Sequence, residues 1–360
     1  MNKGSVTYNN QEVFVGIDVH RNKYAVSAVV KGTHVDNFTY NGDEESFINM
    51  LKSRYSDARA VKSCYEAGFS GYGLFRRLSY IGWDCIVVHP GLVSVTSMKR
   101  KTDKRDAKQM AYQLYSGMLK GIHIPSKEEE DERRLMRLRR NLVKDRTRYR
   151  CRVRMLFNYY GILSTDQNGS LSYLRAQRTY NINLKNLGEG FQEEIGHYLD
   201  NWHSLNDQIN KLNRKIRVIS EKEDGLDQYY LSVPGIGVNT ARVLVSELGD
   251  MSRFKNVKSL YSYIGLTPSE FSSGEQQRRG KISREGKPIV RAMLIQSAWK
   301  AIKQDESLEM RYSNLQRRKG GKRAIVALAR HLVGICRSCA MKKSFYVMPK
   351  IESYDLQEAA

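Results

Sequence analysis

The sequence predicts a mixed α/β domain at the N-terminus followed by a long, mostly helical remainder, and three observations predict it. Short apolar runs rich in β-branched residues, broken by turn residues, recur up to position 88. Beyond Pro125 apolar residues recur at helical spacing instead, with almost no proline or glycine inside 126–163 and 190–222. Apolar runs at strand length alternate with helical ones between residues 44 and 118, the rhythm of a sheet covered by helices.

The elements follow in order. Residues 12–19 (Glu-Val-Phe-Val-Gly-Ile-Asp-Val) read as a buried strand, His20 to Lys23 as a polar turn, and 24–30 as a second strand. Lys31-Gly32-Thr33 turns the chain into a third strand over 34–40, completing an antiparallel meander. A helix is expected over about 44–56, with Phe47, Met50 and Leu51 on one side, then a strand at 59–65, a helix over about 71–81 and a short strand at Asp84–Val88. A helix from about 103 to 118 carries Ala107, Met110, Ala111 and Leu114 at helical spacing. Three strands followed by alternating helix and strand is the order of an RNase H-like domain, whose first strand lies centrally with the fourth beside it in parallel.

In the middle of the chain Leu205, Ile209, Leu212, Ile216 and Ile219 follow a 4-3-4-3 spacing, which predicts a coiled-coil seam. Leu135, Leu138, Leu142, Tyr149, Val153 and Leu156 give a looser version upstream, and 164–188 interrupts the two, so an antiparallel helical hairpin is expected. Its apolar edge serves intramolecular packing or a second subunit equally well. Eleven basic residues crowd Arg133 to Arg154 against Asp145 alone. Like charges at i,i+4 cost stability, so this run reads as a backbone-binding helix for RNA or DNA, with Tyr149, Phe157, Tyr159 and Tyr160 available for stacking. Further on, Ser232-Val-Pro-Gly-Ile-Gly237 followed by Asn239–Leu248 has the form of a helix-hairpin-helix, whose glycines let backbone N–H groups approach a phosphate. A helix over 257–264, a polar loop from Gly265 to Gly280 and a helix from about 287 complete the compact part, and Ser353 to Ala360 reads as a frayed tail. The division expected is 1–124, a hairpin at 125–225, a helical domain at 226–345 and a tail at 346–360.

The charge points to a partner. With 60 Lys+Arg against 38 Asp+Glu the chain carries +22, a field that draws polyanions, nucleic acid foremost. No apolar run is expected to reach the ~18 residues of a spanning helix, residues 1–10 lack the apolar core of a signal peptide, and a cytoplasmic protein without a membrane is expected. The five cysteines, Cys64, Cys85, Cys151, Cys336 and Cys339, read as reduced thiols, and the Cys336/Cys339 pair, although at metal-ligand spacing, lies in a helix-like stretch without a second pair.

Against this basic background four carboxylates stand out. Asp18 and Glu66 each close an apolar strand, and Asp103 with Asp106 share one face where a helix begins. Singly each reads as a structural group: Asp103 as a helix cap, Asp106 as a partner of Arg105 or Lys99. Together they make a Mg²⁺ site for a phosphodiester, because Mg²⁺ takes hard oxygen ligands and two ions ~4 Å apart bind both the attacking and the leaving oxygen.

These residues resemble a known family, the DEDD-type transposases of bacterial insertion sequences, related to the Piv invertase and associated with bridge-RNA-guided recombination. The resemblance rests on Val15-Gly-Ile-Asp18-Val-His, Tyr65-Glu66-Ala-Gly68, His89-Pro90 and Lys101-Thr-Asp103-Lys-Arg-Asp106-Ala-Lys. A second block comprises Val233-Pro-Gly-Ile-Gly237, Tyr263-Ile-Gly-Leu-Thr-Pro268, Ser273-Gly274, Gly280-Lys-Ile-Ser-Arg-Glu-Gly286 and Arg291-Ala-Met-Leu. It implies a RuvC-like catalytic domain, a coiled coil and a C-terminal transposase domain. It further implies that Asp18, Glu66, Asp103 and Asp106 bind Mg²⁺, two ions per site, and that Ser273 is the nucleophile joined to DNA. The partners implied are donor and target double-stranded DNA, a structured noncoding guide RNA and further copies of the chain, as a dimer to a tetramer. Neighbouring Ser272 keeps the choice of serine open. A hydroxyl needs activation, and Arg278, Arg279, Lys281 and Arg284 stand close by to neutralise a phosphate.

Three other readings compete. A RuvC-type structure-selective nuclease uses the same carboxylates with water as nucleophile. A nucleic-acid binder retaining an old fold needs no metal. A sugar-kinase-like ATPase also opens on an apolar strand, Gly and Asp, but needs glycine-rich phosphate loops that the sequence lacks.

Overall fold

The structure, a computed structural model, describes residues 7–90, 102–163, 171–221, 225–270 and 279–349. Ser272, Ser273, Arg278, Lys99, the Asp166–Gly169 turn and the 353–360 tail lie outside these. The chain divides into two compact units, Met1–Pro125 and Ser126–Ala360.

In the first unit, strands β1 (Glu12–Val19), β2 (Lys23–Val30), β3 (Thr33–Asn41), β4 (Ala60–Glu66) and β5 (Asp84–Val88) form one sheet in the order β3-β2-β1-β4-β5. β1 pairs antiparallel with β2 and parallel with β4, and β4 parallel with β5, so the first strand is central as the meander predicts. The strand period of two sorts the side chains. Val13, Val15 and Ile17 face a core with Phe47 and Leu51 of α1 (Glu44–Arg54) and Leu74 and Leu78 of α2 (Gly73–Tyr80). The opposite face takes α3 (Asp103–Tyr115): Cys64 packs with Met110 there. Gly16 permits the closest approach, since a Cβ on it would lie 2.1 Å from Ala107 O and 2.6 Å from Ala111 N. This mixed sheet with helices on both faces is compatible with an RNase H-like domain. Asp36, buried on β3, is held by Arg54 Nε and Nη2 (2.6 and 2.7 Å) and by the Tyr8 and Tyr55 hydroxyls.

The second unit is helical. α4 (Lys127–Tyr159) starts on a reciprocal Ser126–Glu129 capping box and α6 (Glu189–Ser220) lies along it. Arg139 meets Asn213, Tyr149 meets Tyr198 and Tyr160 meets Phe191, so the two run antiparallel. Of the predicted seam Ile209 and Ile216 are buried; upstream the buried positions are Met136, Val153 and Phe157, while Leu138 is exposed. The interruption between the two is itself partly helical: α5 (Tyr173–Asn183) fills it, capped by Ser172.

α7 (Leu226–Leu231), α8 (Val238–Leu248), α9 (Val257–Ile264), α10 (Pro288–Ala301), α11 (Glu306–Lys319) and α12 (Gly321–Lys342) share the largest core. α12 corrects an expectation: it is long and apolar enough to cross a membrane by length and composition. Its Ala324, Leu328, Leu332, Val333 and Cys336 are buried in the core of this unit, which accounts for the composition, and Cys336 and Cys339 pack there as free thiols. The polar loop after Gly265 also holds more order than expected at its ends, where β6 (Pro268–Glu270) and β7 (Arg279–Ile282) pair. Tyr346 anchors the chain beyond α12, its N–H donating to Ser232 Oγ and its hydroxyl to Asp305.

Candidate metal centre

Asp18 lies two residues beyond Gly16 on β1, so it shares the sheet face that α3 covers. Glu66 ends β4 two residues beyond Cys64 on that same face, and the pairing Ile17↔Tyr65 makes Asp18 and Glu66 lateral neighbours. Asp103 opens α3 as its first helical residue. Thr102 takes the cap position, so Asp103 is no N-cap, and its carboxylate turns to the sheet. Asp106 lies one turn further along α3, its N–H donating to Thr102 O.

The side chains that converge most tightly are Asp18, His20 and Asp103, whose ligand atoms all lie within 4.8 Å of one another. His20 Nε2 is 3.5 Å from Asp18 Oδ2 and 3.4 Å from Asp103 Oδ2. Lys23, at the start of β2, donates to Asp103 Oδ2 at 2.7 Å. That hydrogen bond, with the charges of Lys23 and His20, holds the Asp103 carboxyl below its ordinary range against the opposing effect of burial. Glu66 and Asp106 stand on the same face without joining this group. The set of two carboxylates and an imidazole nitrogen fits a divalent cation, with oxygen donors for a hard ion. Sequence reasoning passed over His20 and Lys23 because the tetrapeptide that holds them reads as a turn; the signal available was His20 two residues after Asp18.

The described ends of the serine loop are clamped. A Cβ on Gly265 would lie 1.8 Å from Glu285 O and one on Gly286 2.1 Å from Tyr263 O, and both glycines have positive φ (77° and 86°). Arg291 donates to Ile264 O, Glu285 O and Arg284 O, so one guanidinium ties both strands of the loop base together.

Two family models match the chain. Residues 15–161 match a model described as Transposase, and residues 227–313 match the Transposase IS116/IS110/IS902 family. The chain belongs to the IS110-type DEDD transposases. It is 29% identical over 306 residues to a Sinorhizobium fredii protein named as a transposase, y4qE, covering 82% of this chain and 73% of that one. The transposase for insertion sequence element IS1533 of Leptospira borgpetersenii is 26% identical over 303 residues (80% and 85%). The transposase for IS1111A of Coxiella burnetii is 25% identical over 326 residues (88% and 86%). The protein is thus a DNA transposase, an enzyme of a family that uses divalent metal ions.

The transposase's basic helix is less free than its charge implies. Arg133 donates to Ser246 O, Arg137 pairs with Glu247, Arg148 with Asp145, and Arg152 lies over the Tyr149 and Tyr198 rings. Of the aromatics expected to stack on bases, Phe157 is buried, Tyr149 is engaged with Tyr198 and Tyr160 with Phe191, leaving Tyr159 outside the core at 81% exposure. These cations and rings tie α4 into its own unit, a role that a count of charges does not reveal.

Proposed function

We propose that this transposase serves an insertion sequence, cleaving and rejoining donor and target double-stranded DNA at a Mg²⁺ site of Asp18, Glu66, Asp103 and Asp106, with Ser273 as nucleophile. The convergence of Asp18, His20 and Asp103 beside Glu66 at the ends of β1 and β4 carries this reading. When bound, two Mg²⁺ ions supply charge stabilisation to the attacking and leaving oxygens of a phosphodiester. The carboxylates fix the scissile phosphate's orientation. Ser273 Oγ bonds to phosphorus as the bond to the leaving sugar oxygen breaks, and that oxygen takes up the proton which the serine loses. Lys281 and Arg284, close after the serine in sequence, neutralise the phosphate.

On this reading residues 1–124 are the RuvC-like catalytic domain, the hairpin of 125–225 is a coiled coil that pairs copies of the chain into a dimer or tetramer, and 226–345 is the transposase domain, with α7, the Gly235–Gly237 turn and α8 as its helix-hairpin-helix. Exposed Met155 and Val218 on the hairpin support a pairing role. A structured noncoding RNA pairs with donor and target, since delegated base pairing removes the need for a base-reading element. An enzyme of chromosomal DNA works in the cytoplasm, at the nucleoid.

The test is a covalent trap. Under active conditions with Mg²⁺, a denaturant-resistant protein–DNA adduct is expected from the wild type and from neither Ser273→Ala nor Asp18→Ala, both of which remain folded. Cleavage without an adduct would establish the nuclease alternative, with water as nucleophile. Sequencing of copurifying nucleic acid is expected to return one discrete noncoding RNA; random fragments refute guiding.

A further inference from the structure

α4, the turn into α8, and α10 enclose an open cavity of about 400 Å³ in the second unit. Among the described residues its walls carry five cationic side chains, Arg139, Arg140, Lys144, Arg146 and Lys300, with no carboxylate and no aromatic ring. The neighbouring cations of α4 are engaged within their own unit: Arg133 Nε donates to Ser246 O, Arg137 pairs with Glu247 and Arg148 with Asp145. In the cavity Arg139 has only the neutral Asn213, and Arg140, Lys144, Arg146 and Lys300 make no ion pair among the described residues. Burial, then the charge of Arg146, pulls the Arg139 guanidinium below its ordinary range, the mark of a site short of anions.

The opposite wall, which carries Lys300, includes the glycine turn into α8. Gly235, with φ of 79°, lies against α10, where a Cβ would sit 2.2 Å from Ser297 O, and its N–H donates to Gln304. Gly237 differs: a Cβ there would meet nothing within 4 Å, so the turn is pinned on one side and open on the other. Behind it α8 begins without a side-chain cap, and the N–H groups of its first turn add positive potential to a site the cations already define.

We propose that this groove seats the sugar–phosphate backbone of duplex DNA, the α4 cations gripping from one side and the α8 turn from the other. The inference deepens the transposase reading and rests on it for the choice of DNA. The form of the nucleic acid comes from the walls. A splayed single strand is held by stacking on aromatic rings, which the cavity lacks, whereas a duplex keeps its bases inside and offers phosphates. A basic helix and a glycine turn that are 90 residues apart in sequence thus act as the two jaws of one site.

The experiment is fluorescence anisotropy of the full chain with an arbitrary 30-base-pair duplex, in EDTA, over a salt series. Each phosphate contact adds about 0.9 to the log–log salt slope. Arg140→Ala/Lys144→Ala/Arg146→Ala is therefore expected to flatten the slope by roughly 2–3 and to weaken binding at least about tenfold near 0.1 M salt. Arg317→Ala/Arg318→Ala/Lys319→Ala removes equal charge from the exposed end of α11 and is expected to change the slope by less than one. Arg140→Lys/Arg146→Lys is expected to keep the wild-type slope. Should the groove variant lose its fold by circular dichroism, Lys300→Glu on the other wall, which removes a single contact, is expected to flatten the slope by about 0.9, and Lys319→Glu on α11 to leave it unchanged. Equal slopes for the two triple variants, an unchanged groove variant, or a loss seen on single-stranded RNA but not on duplex DNA each overturn the proposal. Binding in EDTA is blind to metal and to the covalent step, so a missing adduct leaves this site standing, and a failed groove leaves the adduct test untouched.

Discussion

Replacing Gly16 by alanine puts the β1–α3 contact to a quantitative test. The added Cβ would lie 2.1 Å from Ala107 O, 0.9 Å inside the 3.0 Å that real Cβ atoms respect, and 2.6 Å from Ala111 N. Both obstacles are helix backbone, so no side chain can swing aside; α3 must retreat from β1 by about an ångström. Overpacking of this kind costs about 1–3 kcal/mol, and for a domain of this size each kcal/mol lowers the melting midpoint by roughly 4 °C. The helix that retreats carries Asp103 and Asp106, while Asp18 stays on β1, so the proposed metal ligands move apart. A misplacement of ~1 Å costs on the order of a hundredfold in rate. Gly68→Ala is the matched control: its Cβ meets only Glu66 O, at an ordinary 3.9 Å. The assay pairs thermal unfolding with Mg²⁺-dependent strand cleavage on saturating DNA. Gly16→Ala is expected to melt several degrees lower and to cleave about a hundredfold more slowly, with Gly68→Ala unchanged in melting. Wild-type melting and cleavage in Gly16→Ala would refute the argument that this contact sets the spacing of the carboxylates.

Three further outcomes are expected. Lys23→Met removes the cation that occupies Asp103 Oδ2, so Mn²⁺ titrated by electron paramagnetic resonance should bind more tightly; weaker binding would mean that Lys23 helps to build the site. Glu247 is fully buried, and burial alone raises its carboxyl, but the bonds from Arg137 and Lys287 prevail and hold it below the ordinary 4.5. A depressed carboxyl stabilises the fold above its unfolded value and loses that contribution as pH falls through the folded one. Glu247→Gln should therefore lose about 1–3 kcal/mol at pH 7, since Arg137 and Lys287 keep access to water, and show a flatter decline below pH 4.5 in denaturant melts. Gly235→Ala meets both a positive φ and Ser297 O at 2.2 Å, and should lower the melting midpoint of the second unit by several degrees.

The five-stranded sheet was readable because its strands are half-buried and β-branched, so that alternation and turn residues mark them without knowledge of their neighbours. Asp18 and Glu66 were readable for the same reason: a charged residue that ends an apolar strand stands out against its own local pattern. What lay hidden was everything defined by a partner far along the chain. α5 buries only Ala176 and so shows no apolar stripe, and β6 and β7 span three and four residues, too short for a period of two to repeat. His20 belongs to the candidate centre only because α3 brings Asp103 to it from 83 positions away. The basic run shows the limit most clearly. Charge density alone assigns its whole length to nucleic acid, yet Arg133 and Arg137 are committed to Ser246 and Glu247, more than a hundred residues downstream. Packing of α4 against α8 divides the run into cations that hold the protein together and cations left without an anion. The second group is the one with reason to attract a phosphate, because among the described residues no carboxylate pairs with it and relieves its mutual repulsion.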